Sequence, residues 1–242
     1  MTKTWIKPDW PVAGNIHAAV TLRSGGLSQG AFSSLNPALH VNDREETVQG
    51  NRKIISDMLN LPAAPVWLEQ IHSDKVVKAD QLSQLVQADA SYTDQENTVC
   101  AILTADCLPV LLASMDGKKI AVIHAGWRGL LAGIIANTVE ALGTTELIAW
   151  LGPAIGPECF EVGAEVRDLF INKSASFASA FKKKQQDKYL ADIYQLAKIE
   201  LTSIGVTQVY GGDFCTVTDN NRFYSYRREG ETGRMATLIW RD

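Results

Sequence analysis

Apolar and polar positions recur along this chain with two periods, and each change of period marks a change of element. Asn15 to Leu22 reads as a strand. Arg23 to Gly30, with three glycines, is too glycine-rich for either regular structure and is a loop. A helix is predicted from Arg44 to Leu59, with Asp43 as N-cap and Glu46 completing a capping-box-like pair. Its apolar stripe holds Val48, Ile55 and Leu59, and Arg52 falls on that same stripe. Val66 to His72 alternates, with Val66, Leu68, Gln70 and His72 on one face. Thr98–Thr104 and Leu108–Ser114 are apolar enough for buried strands. A turn at Met115–Lys118 leads into a third, Lys119–His124. One helix is predicted over Trp127–Leu142, a strand over Leu147–Leu151, and further helices over Ala164–Asn172 and Tyr189–Ile204. Strands near Gln208–Gly211, Arg222–Ser225 and Met235–Trp240 close the chain. Strands outnumber helices and several are joined by short turns, which fits a mixed-sheet α/β or α+β domain better than a regular parallel sheet.

Composition narrows the function more than the fold. The 242 residues are 46% hydrophobic and 21% charged, within the range of a single domain, taken as residues 1–242. Net charge is −4, so the basic footprint of a nucleic-acid binder is missing. The run Lys182–Lys184 reads as a solvated face. Met1 to Pro8 lacks the apolar core of a secretory signal, and no run approaches the ~20 apolar residues of a membrane span. A soluble cytoplasmic protein, monomeric or weakly dimeric, is expected. Cys100, Cys107, Cys159 and Cys215 form no CxxC pair and are expected as reduced thiols.

If the segments flanking Met115–Lys118 form a hairpin, Cys107 and His124 lie almost equidistant from its turn and face each other within about two residues. One zinc ion could bridge such a pair. His72 ends its own strand. Three protein ligands with a fourth position open is the pattern of a catalytic zinc site. A plainer reading stands beside this one, with strand-end histidines as partners for the backbone and Cys107 as a small core residue. Gly126–Gly129 could open a helix toward an anion near Arg128. Arg52, on an apolar stripe, should pair with an acid or face a ligand pocket. Asp106 could act as a general acid or orient a ligand histidine. Gly25, Gly26 and Ser28 could cradle a phosphate, Ser34–Pro37 could meet ribose hydroxyls, and Phe223–Arg228 reads as an edge strand.

A resemblance is carried by Thr21–Ser28, Ser34–Asn36, Asn51–Arg52, Glu69–His72, Thr104–Pro109, His124–Gly129, Gly152–Gly156, Phe223–Arg228 and Thr232–Arg234. Over nearly its whole length the chain resembles the bacterial YfiH proteins, also described as the laccase-domain or multicopper polyphenol oxidoreductase family and as purine nucleoside phosphorylases. The resemblance implies an α+β fold of mixed β-sheets in a four-layer α/β/β/α arrangement. It implies metal ligands at His72, Cys107 and His124, and nucleoside contacts at Ser34, Asn36 and Arg52. Ile71, Ser73, Pro37 and Asn42 depart from the family pattern without removing a ligand.

The activity implied is zinc-dependent phosphorolysis of adenosine, inosine and methylthioadenosine, with adenosine deamination. The implied partners are a purine nucleoside and phosphate. Two other readings use the same three residues. In one, Cys107 is the nucleophile of a cysteine hydrolase acting on peptidoglycan precursors. In the other, copper replaces zinc in a phenol oxidase, although one site lacks the several coppers that four-electron oxygen reduction uses.

Overall fold

The computed structural model describes residues 4–242; Met1–Lys3 of the N-terminal stretch lie outside them. In chain order the elements are β1 (Trp5–Ile6), β2 (Ile16–Thr21), α1 (Glu45–Leu59), β3 (Val76–Lys78), β4 (Ala90–Thr93), β5 (Cys100–Thr104), β6 (Leu108–Ser114), β7 (Ile120–Ala125), α2 (Trp127–Ala132) and α3 (Ile134–Leu142). They continue as β8 (Leu147–Leu151), β9 (Glu161–Gly163), α4 (Ala164–Lys173), β10 (Phe181–Gln185), β11 (Lys188–Ala191), α5 (Ile193–Ser203), β12 (Gln208–Gly211), α6 (Tyr226–Glu229) and β13 (Met235–Arg241).

Two sheets carry the molecule. One is four-stranded and antiparallel in the order β1-β2-β13-β5; the other is six-stranded and mixed in the order β12-β8-β6-β7-β4-β3. Alternation along the strands shows how they stack. In β6 and β7, Val110, Leu112, Ala121 and Ile123 join a cluster with Ile134, Ile135, Val139, Leu196 and Leu201 of the helices. Leu111, Ala113, Ile120 and Val122 point the opposite way, onto Val20, Ile102 and Met235 of the smaller sheet. The outer face of that sheet, with Ala101, Leu103, Ala236 and Leu238, buries Leu35, Val41 and Ile55, the last from α1. These three clusters separate four layers: α1, the four-stranded sheet, the six-stranded sheet, and α2 to α5. β5, β6 and β7 have both faces covered, so each reads as an unbroken apolar run. The predicted single α+β domain is what forms. A small sheet in the order β10-β11-β9 is appended. No helix among the described residues is long and apolar enough to cross a membrane.

Several predicted elements change form. The single helix over Trp127–Leu142 is broken at Gly133, whose φ of 99° ends α2 and starts α3. α1 begins on Arg44, with no side-chain cap, because Asp43 is committed to the loop before it: its carboxylate accepts from Ser28 Oγ and Asn36 Nδ2. Tyr189–Leu190 pairs with β10 instead of extending α5, whose start is fixed by Asp192 accepting from Gln195 N–H. Lys182–Lys184 is exposed as expected, but on a strand. Arg222–Ser225 is not a strand. Phe223 and Tyr224 are fully buried, and Ser225 caps the short α6.

Val66–His72 is extended but is not a full strand. It makes isolated bridges only, Val66 with Cys100 and Glu69 with Gln87. Beyond the Val66 bridge, its attachment to the open edge of β5 comes from a side chain. The Gln70 carboxamide donates to Leu103 O (2.8 Å) and accepts from Leu103 N–H (2.7 Å), copying a two-bond backbone bridge.

Gly133 tests the helix break. Gly133→Ala puts a Cβ in ordinary contact with Glu200 Oε1 (3.9 Å), without a clash, but in the left-handed region, at a cost of about 1–2 kcal/mol. Urea unfolding should show a lower midpoint with an unchanged slope.

Candidate metal centre

The site lies where the chain leaves one sheet for the other. β5 belongs to the four-stranded sheet and β6 to the six-stranded sheet, and Ala105-Asp106-Cys107 is the corner between them. Asp106 makes that corner with a φ of 88°, in the left-handed region. Its carboxylate accepts from Thr216 Oγ1 (2.5 Å) and Arg227 N–H (2.6 Å), and its carbonyl accepts from Ile155 N–H (2.9 Å). Asp106 therefore braces the corner, and it makes no hydrogen bond to a histidine.

The predicted hairpin forms. β6 and β7 pair with Pro109 opposite His124, which leaves Cys107 two residues off direct register with His124. His72 arrives from the extended segment and turns there with a φ of 60°. One ligand atom from each of His72, Cys107 and His124 lies within 4.8 Å of the others. The Cys107 Sγ to His72 Nε2 distance is 3.8 Å. A tetrahedral zinc with ordinary sulfur and nitrogen bond lengths would hold two such atoms about 3.5 Å apart, so the set fits the ion. Space for this approach is supplied by Gly126. A Cβ there would stand 2.9 Å from His72 Cδ2 and 3.2 Å from Cys107 Sγ.

Asp89 holds the arrangement. It stands one residue before β4, opposite His124, and is fully buried. Its carboxylate accepts from His124 Nδ1 (2.7 Å), His72 N–H (3.0 Å), Ile71 N–H (3.3 Å), Ser73 N–H (2.6 Å) and Ser73 Oγ (2.7 Å). With Nδ1 engaged, His124 is free to present Nε2 to an ion, the outer-shell pattern common to metal-binding histidines. Burial pushes the Asp89 carboxyl up, but His124 and Ser73 outweigh it and bring it to about 2. Burial likewise pushes the Cys107 thiol up, and His124 and His72 overcome this and lower it to about 6. Burial lowers His124, against which Cys107 and Asp89 raise it to about 9. These contacts favour the thiolate form of Cys107, the form that binds metal.

The three residues open on a cavity of about 460 Å³, within the usual range for small-molecule sites. Its walls include His40, Trp127, Arg128, Phe160, Arg227 and Arg234. Among the described residues, none of the three arginines has a carboxylate partner in an ion pair. Arg128 lies over Trp127, Arg227 donates to the Cys159 and Glu161 carbonyls, and Arg234 donates to the Thr232 and Gly233 carbonyls. The cavity is therefore cationic. Burial, with Arg234, His124 and Arg52, holds His40 below its ordinary value.

Ser34, Asn36 and Arg52 do not line this cavity. Ser34 Oγ accepts from Gly26 N–H and donates to Arg23 O. Asn36 is fully buried; it donates to Asp43 and accepts from Arg234 N–H (3.1 Å). Arg52 meets neither an acid nor the cavity. It lies over the Trp67 ring (4.4 Å to the centroid), donates from Nε to Pro37 O (2.8 Å), and is lowered to about 10 by burial. The glycine-rich loop also spends its amides internally: Leu27 N–H on Asn51 Oδ1 and Ser28 N–H on Ser34 O.

Asp89, His40 and Arg234 are the site residues that the sequence pattern did not single out for a role. Asp89 carries only a weak mark, an acid between two alanines.

Comparison with known proteins gives a consistent answer. Residues 17–242 match the family model described as multi-copper polyphenol oxidoreductase laccase. A Pseudomonas aeruginosa purine nucleoside phosphorylase is 49% identical over 98% of each chain. The Escherichia coli purine nucleoside phosphorylase YfiH is 48% identical over 97% of this chain and 98% of its own. In fold, Neisseria meningitidis protein NMB0706 superposes with a TM-score of 0.96 at 46% identity, covering 99% of this chain and all of its own. YlmD from Geobacillus stearothermophilus does so at 0.91 and 29%, covering all of this chain and 97% of its own.

Two variants test the support of the ligands. Asp89→Asn replaces one acceptor oxygen by a donor and should weaken zinc binding about 10–100-fold in a competition titration. Gly126→Ala forces a methyl against His72 and Cys107 and should weaken it in the same assay. Wild-type affinity in both would remove Asp89 and Gly126 from this role.

Proposed function

The chain belongs to the family described as multi-copper polyphenol oxidoreductase laccase, and from that premise we propose that it is a zinc-dependent purine nucleoside enzyme. It would cleave adenosine, inosine and methylthioadenosine with phosphate, and deaminate adenosine. The relatives named purine nucleoside phosphorylase support the class. The observation that carries it to this chain is the convergence of His72, Cys107 and His124 on a cationic cavity.

His72, Cys107 and His124 would hold the ion, zinc in the first place and copper as the other ion this set accepts. When bound, zinc supplies Lewis-acid activation of an oxygen nucleophile at neutral pH. The chain's own groups do the rest. Arg234 and Arg128 would bind phosphate oxygens and neutralise their charge. Phe160 and Trp127 offer aromatic faces for the purine. In phosphorolysis the C–N glycosidic bond breaks, a C–O bond to phosphate forms, and the base leaves with a proton. His40, held below its ordinary value by burial and by Arg234, is at the cavity wall and placed to handle a proton. Ser34, Asn36 and Arg52 act in this reading through the loop they hold, because Asn36 bonds Arg234 and Arg52 bonds Pro37, three residues before His40. The reading places the enzyme in the cytoplasm, as a monomer or weak dimer.

One observation favours a second chemistry. Cys107, His124 and Asp89 also form a nucleophile, base and orienting acid, the constellation of a cysteine hydrolase, with peptidoglycan precursors as substrate. The two readings part on reagents. Chelation should abolish a metal-dependent activity, whereas alkylation with the ion retained should abolish a hydrolase.

Three measurements test the first reading. Cys107→Ala should lose most of its zinc by elemental analysis, and full occupancy there would sink the assignment. Phosphate-free enzyme should turn adenosine into inosine alone; adding phosphate should then release free base and ribose 1-phosphate. Equal base release without phosphate would mean a hydrolytic nucleosidase. Arg234→Gln should raise the KM for phosphate about 10–100-fold, as expected when a charge-assisted pair is lost.

A further inference from the structure

One cavity arginine has no task in the chemistry above. Arg128 and Arg234 take phosphate in that reading, and Arg227 takes nothing. Its backbone is fixed close to the centre: Arg227 N–H donates to Asp106 Oδ2 at 2.6 Å, which ties it to the corner that carries Cys107. Its guanidinium is held at Phe160. Nη1 donates to Cys159 O (3.4 Å) and Glu161 O (3.3 Å), and Nη2 to Glu161 O (3.3 Å). Those carbonyls flank Phe160 in sequence, and the guanidinium carbon stands 5.7 Å from the centroid of its ring. Cation and ring thus form one unit of the cavity wall. The three bonds are at the long end of the hydrogen-bond range and engage the terminal nitrogens alone. A guanidinium has five N–H donors, and Nε of Arg227 meets no acceptor among the described residues.

What such a fork can hold depends on the group at C6 of a purine. Hypoxanthine presents O6 and N7, two acceptors, and a guanidinium donates to both at once. Adenine presents N7 beside an amine, which is a donor, so the same fork meets it at one point only. The difference grows as the glycosidic bond breaks. A phosphate oxygen forms the C–O bond to the sugar, and the electron pair of the C–N bond moves into the purine. In hypoxanthine that charge spreads to O6 and N7, where N–H donors stabilise it. The proton of hydrogen phosphate ends on the departing base.

We propose that Arg227 is the specificity-determining residue of phosphorolysis, reading O6 and N7 of a 6-oxopurine nucleoside held at Phe160 and so favouring inosine over adenosine. The inference rests on the purine nucleoside reading and names the substrate class within it. It also puts the two activities in order. Deamination places a water oxygen at C6 and releases ammonia, which turns the C6 donor into the acceptor that Arg227 pairs with. Adenosine given with phosphate therefore leaves mainly as hypoxanthine.

The test uses the full-length, zinc-loaded protein with phosphate and either nucleoside. It reads kcat/KM for each phosphorolysis and the ratio of hypoxanthine to adenine formed from adenosine. Wild type should favour inosine. Arg227→Met and Arg227→Lys should each lower inosine phosphorolysis about 10–100-fold, the size of one two-point pair, and adenosine phosphorolysis less. The share of adenine should rise in both. Lysine keeps the charge and loses the planar fork, so full rescue by Arg227→Lys would overturn the edge contact. An equal fall for both nucleosides would overturn it too. Zinc content and circular dichroism of each variant check that centre and fold are intact. A probe that needs no variant is 7-deazainosine, which lacks the N7 acceptor. By titration calorimetry on phosphate-free wild type it should bind about 10-fold more weakly than inosine, and equal binding would overturn the N7 contact. Cleavage of neither nucleoside by zinc-loaded wild type would overturn the purine reading itself, whereas cleavage with an unmoved ratio in the variants would overturn the role of Arg227 alone.

Discussion

A buried carboxylate with five donors around it organises the centre of this molecule. Asp89 pairs with His124 on a neighbouring strand and gathers three successive amides of the 71–73 turn. Leaving that turn unpaired beside the core would be costly, and hydrogen bonds to a charged group contribute about 1.5–3 kcal/mol each. The same oxygens fix which nitrogen of His124 faces the cavity and hold His72 in a backbone conformation that few residues other than glycine adopt. Stability and site geometry therefore rest on one side chain.

The second constraint is the passage between sheets. A chain that finishes a strand in one layer and starts one in the next must turn within three residues, and here it does so with Asp106 in the left-handed region. Thr216, Arg227 and Ile155 come from three separate segments to hold that turn. Non-glycine residues in such conformations concentrate where surrounding structure over-determines them, commonly at active sites. Each ligand-bearing turn thus has its own aspartate: Asp89 under His72, Asp106 beside Cys107.

Much of this was legible in the sequence, for physical reasons. β5, β6, β7 and β8 declare themselves because both faces are buried, so apolar residues run without interruption. The hairpin register followed from the Met115–Lys118 turn, and the Cys107–His124 approach followed from the register. What stayed hidden depends on contacts remote in sequence. Val66–His72 has a strand's alternation, yet a glutamine carboxamide replaces most of its ladder. Asp89 has no legible role until its partners, 16 to 35 residues away, are known. Asp43 looked like a helix cap and serves Ser28 and Asn36 instead. Arg52 looked like a ligand-facing or ion-paired cation and lies on an indole, a contact that no spacing rule announces. Gly133 splits one amphipathic pattern into two helices without interrupting its apolar period.

The Asp89 clamp also separates two properties that usually travel together. Ile71 and His72 are exposed and belong to no strand or helix, which would ordinarily mean fast exchange of their amide hydrogens with solvent. Yet the amides of residues 71 to 73 all end on a carboxylate that solvent does not reach. Their hydrogens can exchange only when the turn lifts off Asp89, which would strip a buried carboxylate of four of its five donors. The surface turn is thereby tied to a buried charge, and in isotope exchange it would be protected well beyond what its exposure suggests.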